Sequence, residues 1–230
     1  MKIIQNVKVA VDAVVFGYSN NQIQILLIQQ KFGIKKDRWA LPGGFIKDDE
    51  SLDEAVLREL KEETGIKANY LEQLYTFGAV NRDIRLRVVA IAYLALINPQ
   101  NYTLKADTDA KDAQWFDINN LPNLAYDHQD ILQKGIDRLR TKINYQPIGF
   151  ELLNKKFPFS DLENLYQTIL NRKIDRRNFR KKILSFGILK ETNEMYAKSG
   201  SGRPAKLFQF NKAKYKELEK SGFHFEIKLV

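Results

Sequence analysis

A chain of 230 residues with 44% apolar and 28% charged residues has the composition of an ordinary folded protein, long enough for one large domain or two smaller ones. It has no cysteine and only two histidines, which excludes disulfides, thiol chemistry and cysteine-ligated zinc and leaves too few imidazoles for a histidine-built metal site. The formal charge of +9 is unevenly placed: residues 1–145 balance 19 Lys and Arg against 19 Asp and Glu, whereas residues 146–230 hold 18 against 9. Such asymmetry points to two domains, 1–145 and 146–230, the second facing a polyanion.

The first residues, MKIIQNVKVAVDAVVF, alternate apolar and polar side chains as a strand does and lack a signal-peptide core. No apolar run approaches the length of a membrane span, so the expected location is the cytoplasm, with no membrane partner. Val7–Phe16 and Gln22–Gln29 are predicted strands, joined as a hairpin around Ser19-Asn20-Asn21. Lys31–Arg38 is a basic loop, and Trp39-Ala40-Leu41 leads into a Pro42-Gly43-Gly44 turn.

Ser51 followed by Glu54 forms a capping-box signature, so a helix is predicted from Ser51, with Leu52, Ala55, Val56 and Leu60 as its apolar stripe and Gly65 as its left-handed stop. Glu59, Glu62 and Glu63 stand at i, i+3 and i+4 and share one face of that helix. They also crowd its last turn, where the helix dipole favours cations. Two readings fit: a solvated acidic face, or a site whose repulsion is reversed by an oxygen-seeking divalent ion such as Mg2+.

Tyr70–Phe77 and Arg87–Ile97 are further strands, the second almost wholly apolar and therefore interior. Asn98–Asp112 reads as a long polar loop, Ala113–Phe116 as the last strand, and Asn119–Pro122 as a turn. A helix capped by Asp127 runs to about Lys142, with His128 expected to be buried and satisfied rather than catalytic. Pro147 and Gly149 then break the pattern.

In the second part Ser160 and Glu163 repeat the capping signature for a helix carrying Leu162, Leu165, Tyr166 and Ile169. After a turn at Asn171–Lys173, Asp175 caps another helix through Phe186. Phe179, Ile183 and Phe186 form a narrow apolar stripe beside Arg176, Arg177, Arg180 and Lys181. Ile188-Leu189 and Leu207–Phe210 are short strands flanking the basic tip Lys198–Pro204. Two helices, a basic helix face and a basic wing describe a winged helix-turn-helix for double-stranded DNA. Arg203 is the candidate for minor-groove insertion, and Arg172, Lys173, Arg176, Arg177, Arg180 and Lys181 for phosphate and major-groove contacts.

Gly44, Glu50, Arg58-Glu59-Leu60, Glu62-Glu63 and Gly65-Ile66 together resemble a complete Nudix box, with all nine specified positions filled. The resemblance implies an α/β/α sandwich that hydrolyses a nucleoside diphosphate linked to another moiety. In it Glu59, Glu62 and Glu63 hold Mg2+ or Mn2+, with the Gly44 carbonyl as a further ligand, and Arg58 pairs with Glu50 to orient the glutamates. The loop Phe77-Gly78 to Arg82-Asp83 is similar to one in ADP-ribose pyrophosphatase-like Nudix proteins. There Arg82 is a phosphate or sugar contact, or pairs with Asp83 to hold the turn; Ile84-Arg85-Leu86 replaces the usual Pro-Arg-Gly continuation. One of Asp107, Asp109 and Asp112 is a candidate general base, the alternative being that all are solvated loop acids.

Asp127-His128, Pro147-Ile148-Gly149-Phe150, Arg176-Arg177-Asn178-Phe179-Arg180 and Gly202-Arg203-Pro204 extend the likeness to the whole chain. It resembles the bacterial Nudix-related transcriptional regulators, an α+β architecture of a Nudix sandwich followed by a small winged helix. The resemblance implies a homodimeric repressor sensing ADP-ribose, a pentose or a related sugar. Many such regulators have an eroded box, whereas this chain keeps every ionisable position. The principal reading is a DNA-binding regulator with a nucleotide-sugar effector that its box is equipped to hydrolyse. Its competitors are an Mg2+-dependent pyrophosphohydrolase with a basic nucleic-acid tether, and a sugar sensor that needs no metal.

Overall fold

The computed structural model describes residues 6–32, 35–105, 110–196, 204–222 and 224–227. It divides into two compact units, Met1–Arg138 and Leu139–Val230. Sequence punctuation places the division at 145/146, after the second helix; the units divide within that helix. Among the described residues, no helix is long and apolar enough to cross a membrane.

The first unit is built on β1 (Lys8–Ser19) and β2 (Gln22–Gln30), a hairpin whose turn residues Asn20 and Asn21 have φ of 52° and 59°. Asparagine tolerates this left-handed pair, which matches the twist of the flanking strands. Then come β3 (Trp39–Ala40), β4 (Gly43–Phe45), α1 (Leu52–Thr64), β5 (Leu71–Phe77), β6 (Val88–Leu96), β7 (Ala110–Asp117) and α2 (His128–Tyr145). The mixed sheet runs β3-β2-β1-β6-β5, with β4 paired to β1 and β7 to β2. β1 and β6 are parallel from Lys8↔Val88 to Phe16↔Leu96, and their near-continuous apolar sequences are covered on both faces.

Alternation along β1 assigns the two layers. Val11, Ala13 and Val15 pack with Ala55, Val56 and Leu60 of α1. The opposite face carries Ala10, Asp12 and Val14. A Cβ added to Gly135 of α2 would stand 2.7 Å from Val14 Cγ1, so this glycine lets α2 lie against the sheet. The sheet therefore has a helix on each face, as an α/β/α sandwich requires. β7 begins at Ala110, so the polar loop is shorter than its composition suggested, and Asp112 pairs with Gln29 in the ladder.

The second unit contains β8 (Phe157–Pro158), α3 (Phe159–Leu170), α4 (Arg176–Ser185), β9 (Leu189–Tyr196), β10 (Ala205–Phe210) and α5 (Lys212–Ser221), with the antiparallel sheet ordered β8-β10-β9. Leu162, Leu165, Tyr166 and Ile169 of α3 are buried as their spacing required. The buried Tyr166 donates its hydroxyl proton to the Ile148 carbonyl (3.1 Å) and packs on Phe179, while Phe150 stacks on Phe210 at 4.0 Å. The expected Ser160–Glu163 capping box does not form. Pairing of Pro158 with Leu207 fixes the chain in β8 and α3 starts at once, which places Ser160 inside its first turn. Asp175 caps α4 as expected, its carboxylate accepting the Asn178 N–H at 3.0 Å.

Candidate functional site

The local signals around α1 produce the geometry they announced. Ser51 Oγ accepts the Glu54 N–H at 3.3 Å, and Glu54 Oε2 accepts the Ser51 N–H at 2.9 Å. Gly65 adopts φ 74° and returns its N–H to the Lys61 carbonyl. With both ends fixed, α1 presents Glu59, Glu62 and Glu63 to a pocket of about 550 Å3, a volume suited to a nucleotide-sized ligand.

Arg58 organises that wall. Its Nε and Nη2 donate to Glu50 Oε2 (2.8 Å) and Oε1 (2.6 Å), the two-pronged pairing that a planar guanidinium makes with a carboxylate. Its Nη1 donates to Glu59 Oε1 at 2.7 Å and to Glu62 Oε2 at 3.2 Å. Hydrogen bonds from Arg58 pull the Glu50 carboxyl down to about 2. Glu59 moves the other way, because its burial outweighs the same guanidinium. Glu63 is 4% exposed and accepts the Gly43 N–H at 2.8 Å.

The donor set suits a hard divalent cation: three carboxylates and the Gly44 carbonyl, with no soft ligand. A Cβ at Gly44 would lie 2.4 Å from Glu59 Oε1, so glycine is what admits the carboxylate there. Among the described residues, however, no three acids or imidazoles stand grouped to grip an ion as placed. Arg58 holds an oxygen each of Glu59 and Glu62, and the Gly43 amide holds one of Glu63. Seating a cation requires these side chains to turn away from their present donors.

The far wall departs from expectation. Arg82 and Asp83 both line the pocket, and of the two readings of this loop the Arg82–Asp83 turn pair does not form. Asp83 pairs with Arg85, Nη2 to Oδ2 at 2.6 Å, closing the loop locally. Arg82 reaches back to Asp127, Nε to Oδ2 at 2.9 Å and Nη2 to Oδ1 at 2.7 Å, and only 6% of its side chain is exposed. The same Nη2 is 3.5 Å from Asp12 Oδ2. His128 is buried, as expected, and its Nδ1 accepts the Leu41 N–H at 2.9 Å, leaving the proton on Nε2, 3.6 Å from Asp12 Oδ1. Burial raises the Asp12 carboxyl and lowers the His128 imidazole.

Asp12, Gln30, Tyr126 and His128 were not among the site residues chosen from sequence. Asp12 did leave a signal, as the one acid within the apolar run VAVDAVVF. Asp107 and Asp109 lie outside the described residues. Asp112 is not among the pocket's lining; its carboxylate accepts from Ala113 N and Gln114 Nε2.

The basic face of the second unit separates into two sets. Arg176 is within 3.2 Å of Glu163 on α3, and the Arg180 guanidinium lies 4.5 Å from the Phe159 ring centroid and 5.5 Å from that of Phe208. Both therefore lean on their own unit. They are nonetheless exposed, as are Arg172, Lys173, Arg177 and Lys181 on α4 and the turn before it. Arg203 and the tip Lys198–Arg203 lie outside the described residues.

The Glu50–Arg58 pair has a pH signature. A lowered carboxylate stabilises the fold fully above its ordinary value of 4.5, and that contribution is lost as the pH falls toward about 2. The Glu50 carboxyl 13C shift should titrate with a midpoint near 2; a midpoint near 4.5 would show that the pair does not persist in solution.

Comparison with known proteins agrees with both halves of this description. The NUDIX domain model matches residues 7–136, and the model of the NrtR DNA-binding winged helix domain matches residues 149–210. The chain is 35% identical over 204 residues to the ADPR responsive transcriptional repressor NtrR of Acinetobacter baylyi, covering 87% of this chain and 80% of that protein. It is 41% identical over 125 residues to an ADP-ribose pyrophosphatase of Methanocaldococcus jannaschii, covering 54% and 70%. It is also similar to Shewanella oneidensis NrtR solved with a 27mer DNA (TM-score 0.81, 28% identity, 96% and 99% covered) and to the NUDIX domain of that protein with ADP ribose (TM-score 0.56, 34% identity, 59% and 90% covered). With a NUDIX domain followed by an NrtR-type winged helix, the chain belongs to the NrtR family of Nudix-related transcriptional regulators.

Proposed function

We propose that this protein is a homodimeric transcriptional repressor that binds double-stranded DNA through its second unit and takes ADP-ribose or a close relative as effector in its first. The observation that carries the reading is the presence in one chain of a pocket walled by the box glutamates and an exposed basic α4. The likeness to an ADPR responsive repressor over 87% of the chain and to a NUDIX domain solved with ADP ribose supports the choice of effector.

The same pocket is equipped for hydrolysis. Nudix hydrolases generally work with divalent metals, and here Glu59, Glu62, Glu63 and the Gly44 carbonyl would hold Mg2+ or Mn2+. Such an ion, when bound, lowers the pKa of a bound water and offsets charge on phosphorus. The rest falls to the chain. Glu59 or Glu62 takes the proton of the attacking water as its oxygen bonds to phosphorus. The P–O bond of the diphosphate then breaks, leaving AMP and ribose 5-phosphate. Before an ion is seated, Arg58, anchored on Glu50, holds Glu59 and Glu62 beside one another despite their repulsion.

A second reading, a pyrophosphohydrolase tethered to nucleic acid by its basic unit, is favoured by the intact box and by the 41% identity to an ADP-ribose pyrophosphatase. Gel-shift assays separate the two. The repressor binds its own upstream DNA selectively and releases it on addition of ADP-ribose, and Arg177→Ala flattens the salt slope by about one unit. Equal binding to any duplex or to single-stranded RNA, indifferent to ADP-ribose, would support the tether instead. Turnover has its own test. With Mg2+ the protein should release AMP from ADP-ribose, and Glu63→Gln should abolish this; no turnover across a panel of nucleoside diphosphate derivatives would leave a sensor only.

A further inference from the structure

Among the described residues, two buried side-chain oxygens accept no hydrogen bond, Asp12 Oδ2 and Gln30 Oε1, and both residues line the same pocket as the box glutamates. Buried acceptors without a protein donor are rare in folded chains, and these two belong to residues that line one cavity, where a donor can come from the ligand.

The charges around Asp12 define that donor. Arg82 Nη2 stands 3.5 Å from Asp12 Oδ2, too far for a good hydrogen bond, while it donates to Asp127 Oδ1 at 2.7 Å. Arg82 thus offsets only part of the charge of Asp12 and, committed to Asp127, gives it a long contact rather than a full hydrogen bond. A cationic ligand group would have to share Asp12 with the Arg82 guanidinium 3.5 Å away, and a further phosphate would meet Asp12 with Glu59, Glu62 and Glu63 on the same pocket. A neutral O–H donor meets neither objection, and the amide oxygen of Gln30 asks for the same partner.

We propose that Asp12 and Gln30 form a hydroxyl-reading subsite for a ribose of the bound nucleotide sugar, making them specificity-determining residues of this pocket. The proposal rests on the reading of the pocket as a nucleotide-sugar site. It assigns the β1–β2 side of the cavity to an unphosphorylated sugar and leaves the glutamate wall to the diphosphate.

The test is calorimetry on the full chain with ADP-ribose and with two analogues, one lacking the 2′-hydroxyl of the adenosine ribose and one lacking the 2-hydroxyl of the terminal ribose, each with chelator and with Mg2+. The wild type should bind one analogue about 10–100-fold more weakly than ADP-ribose, which identifies the ribose that enters. In Asp12→Ala that ratio should collapse toward one, and in Gln30→Leu it should shrink. Gln30→Leu leaves the Asp12–Arg82 pair in place and decides the matter should Asp12→Ala fail to fold. Unchanged ratios in the variants, or a wild type indifferent to both analogues, would overturn the subsite alone. A wild type that takes up no ADP-ribose in either buffer would overturn the subsite and the reading beneath it together.

Discussion

One guanidinium carries the electrostatics of the first unit. Glu59, Glu62 and Glu63 occupy the last turns of α1, where like charges at i, i+3 and i+4 repel and the helix dipole disfavours acids. Arg58 answers from the same helix: two of its nitrogens hold Glu50, and a third is shared by Glu59 and Glu62. The Gly43 amide answers for Glu63. Each acid has a hydrogen-bond donor, so the cluster is held while its residues line the edge of a pocket. A divalent ion would take over the neutralising role that Arg58 and an amide now fill.

The second unit solves a different problem, that of keeping a basic helix both anchored and available. Phe179 and Ile183 bury one stripe of α4 against an aromatic core, and Arg176 and Arg180 brace it against Glu163, Phe159 and Phe208. Arg176 and Arg180 stay exposed even so, and Arg177 and Lys181 are exposed four residues apart on one face. Arginines that look equivalent in the run Arg176-Arg177-Asn178-Phe179-Arg180 therefore differ in the contacts they make within the unit.

Much of this was legible in the residues because the signals are local. A capping box, a glycine stop, an Asn-Asn turn and an alternating strand are decided within a few positions, and Ser51, Gly65, Asn20 and Asp12's own strand behave accordingly. Legibility failed where partners are distant. Arg82 and Asp127 are 45 residues apart, so nothing near Arg82 announced that it would bypass Asp83. Ser160 misled because a two-residue pairing of Pro158 with β10 overrides its capping pattern. Strand β8 is too short to show a period, and α5, KAKYKELEKS, has no buried residue to betray it. Asp12 was visible as an oddity, but its role depends on strands and a helix that only the fold assembles.

On the proposed function these acids are gathered to hold a metal ion beside a diphosphate. Mn2+ titration of the full chain, read as loss of the free-ion electron paramagnetic resonance signal with and without ADP-ribose, tests it most directly. Wild-type protein should take up the ion, and Glu59→Gln and Glu63→Gln should each weaken that uptake strongly. Absence of uptake, or uptake that neither substitution alters, would contradict the account.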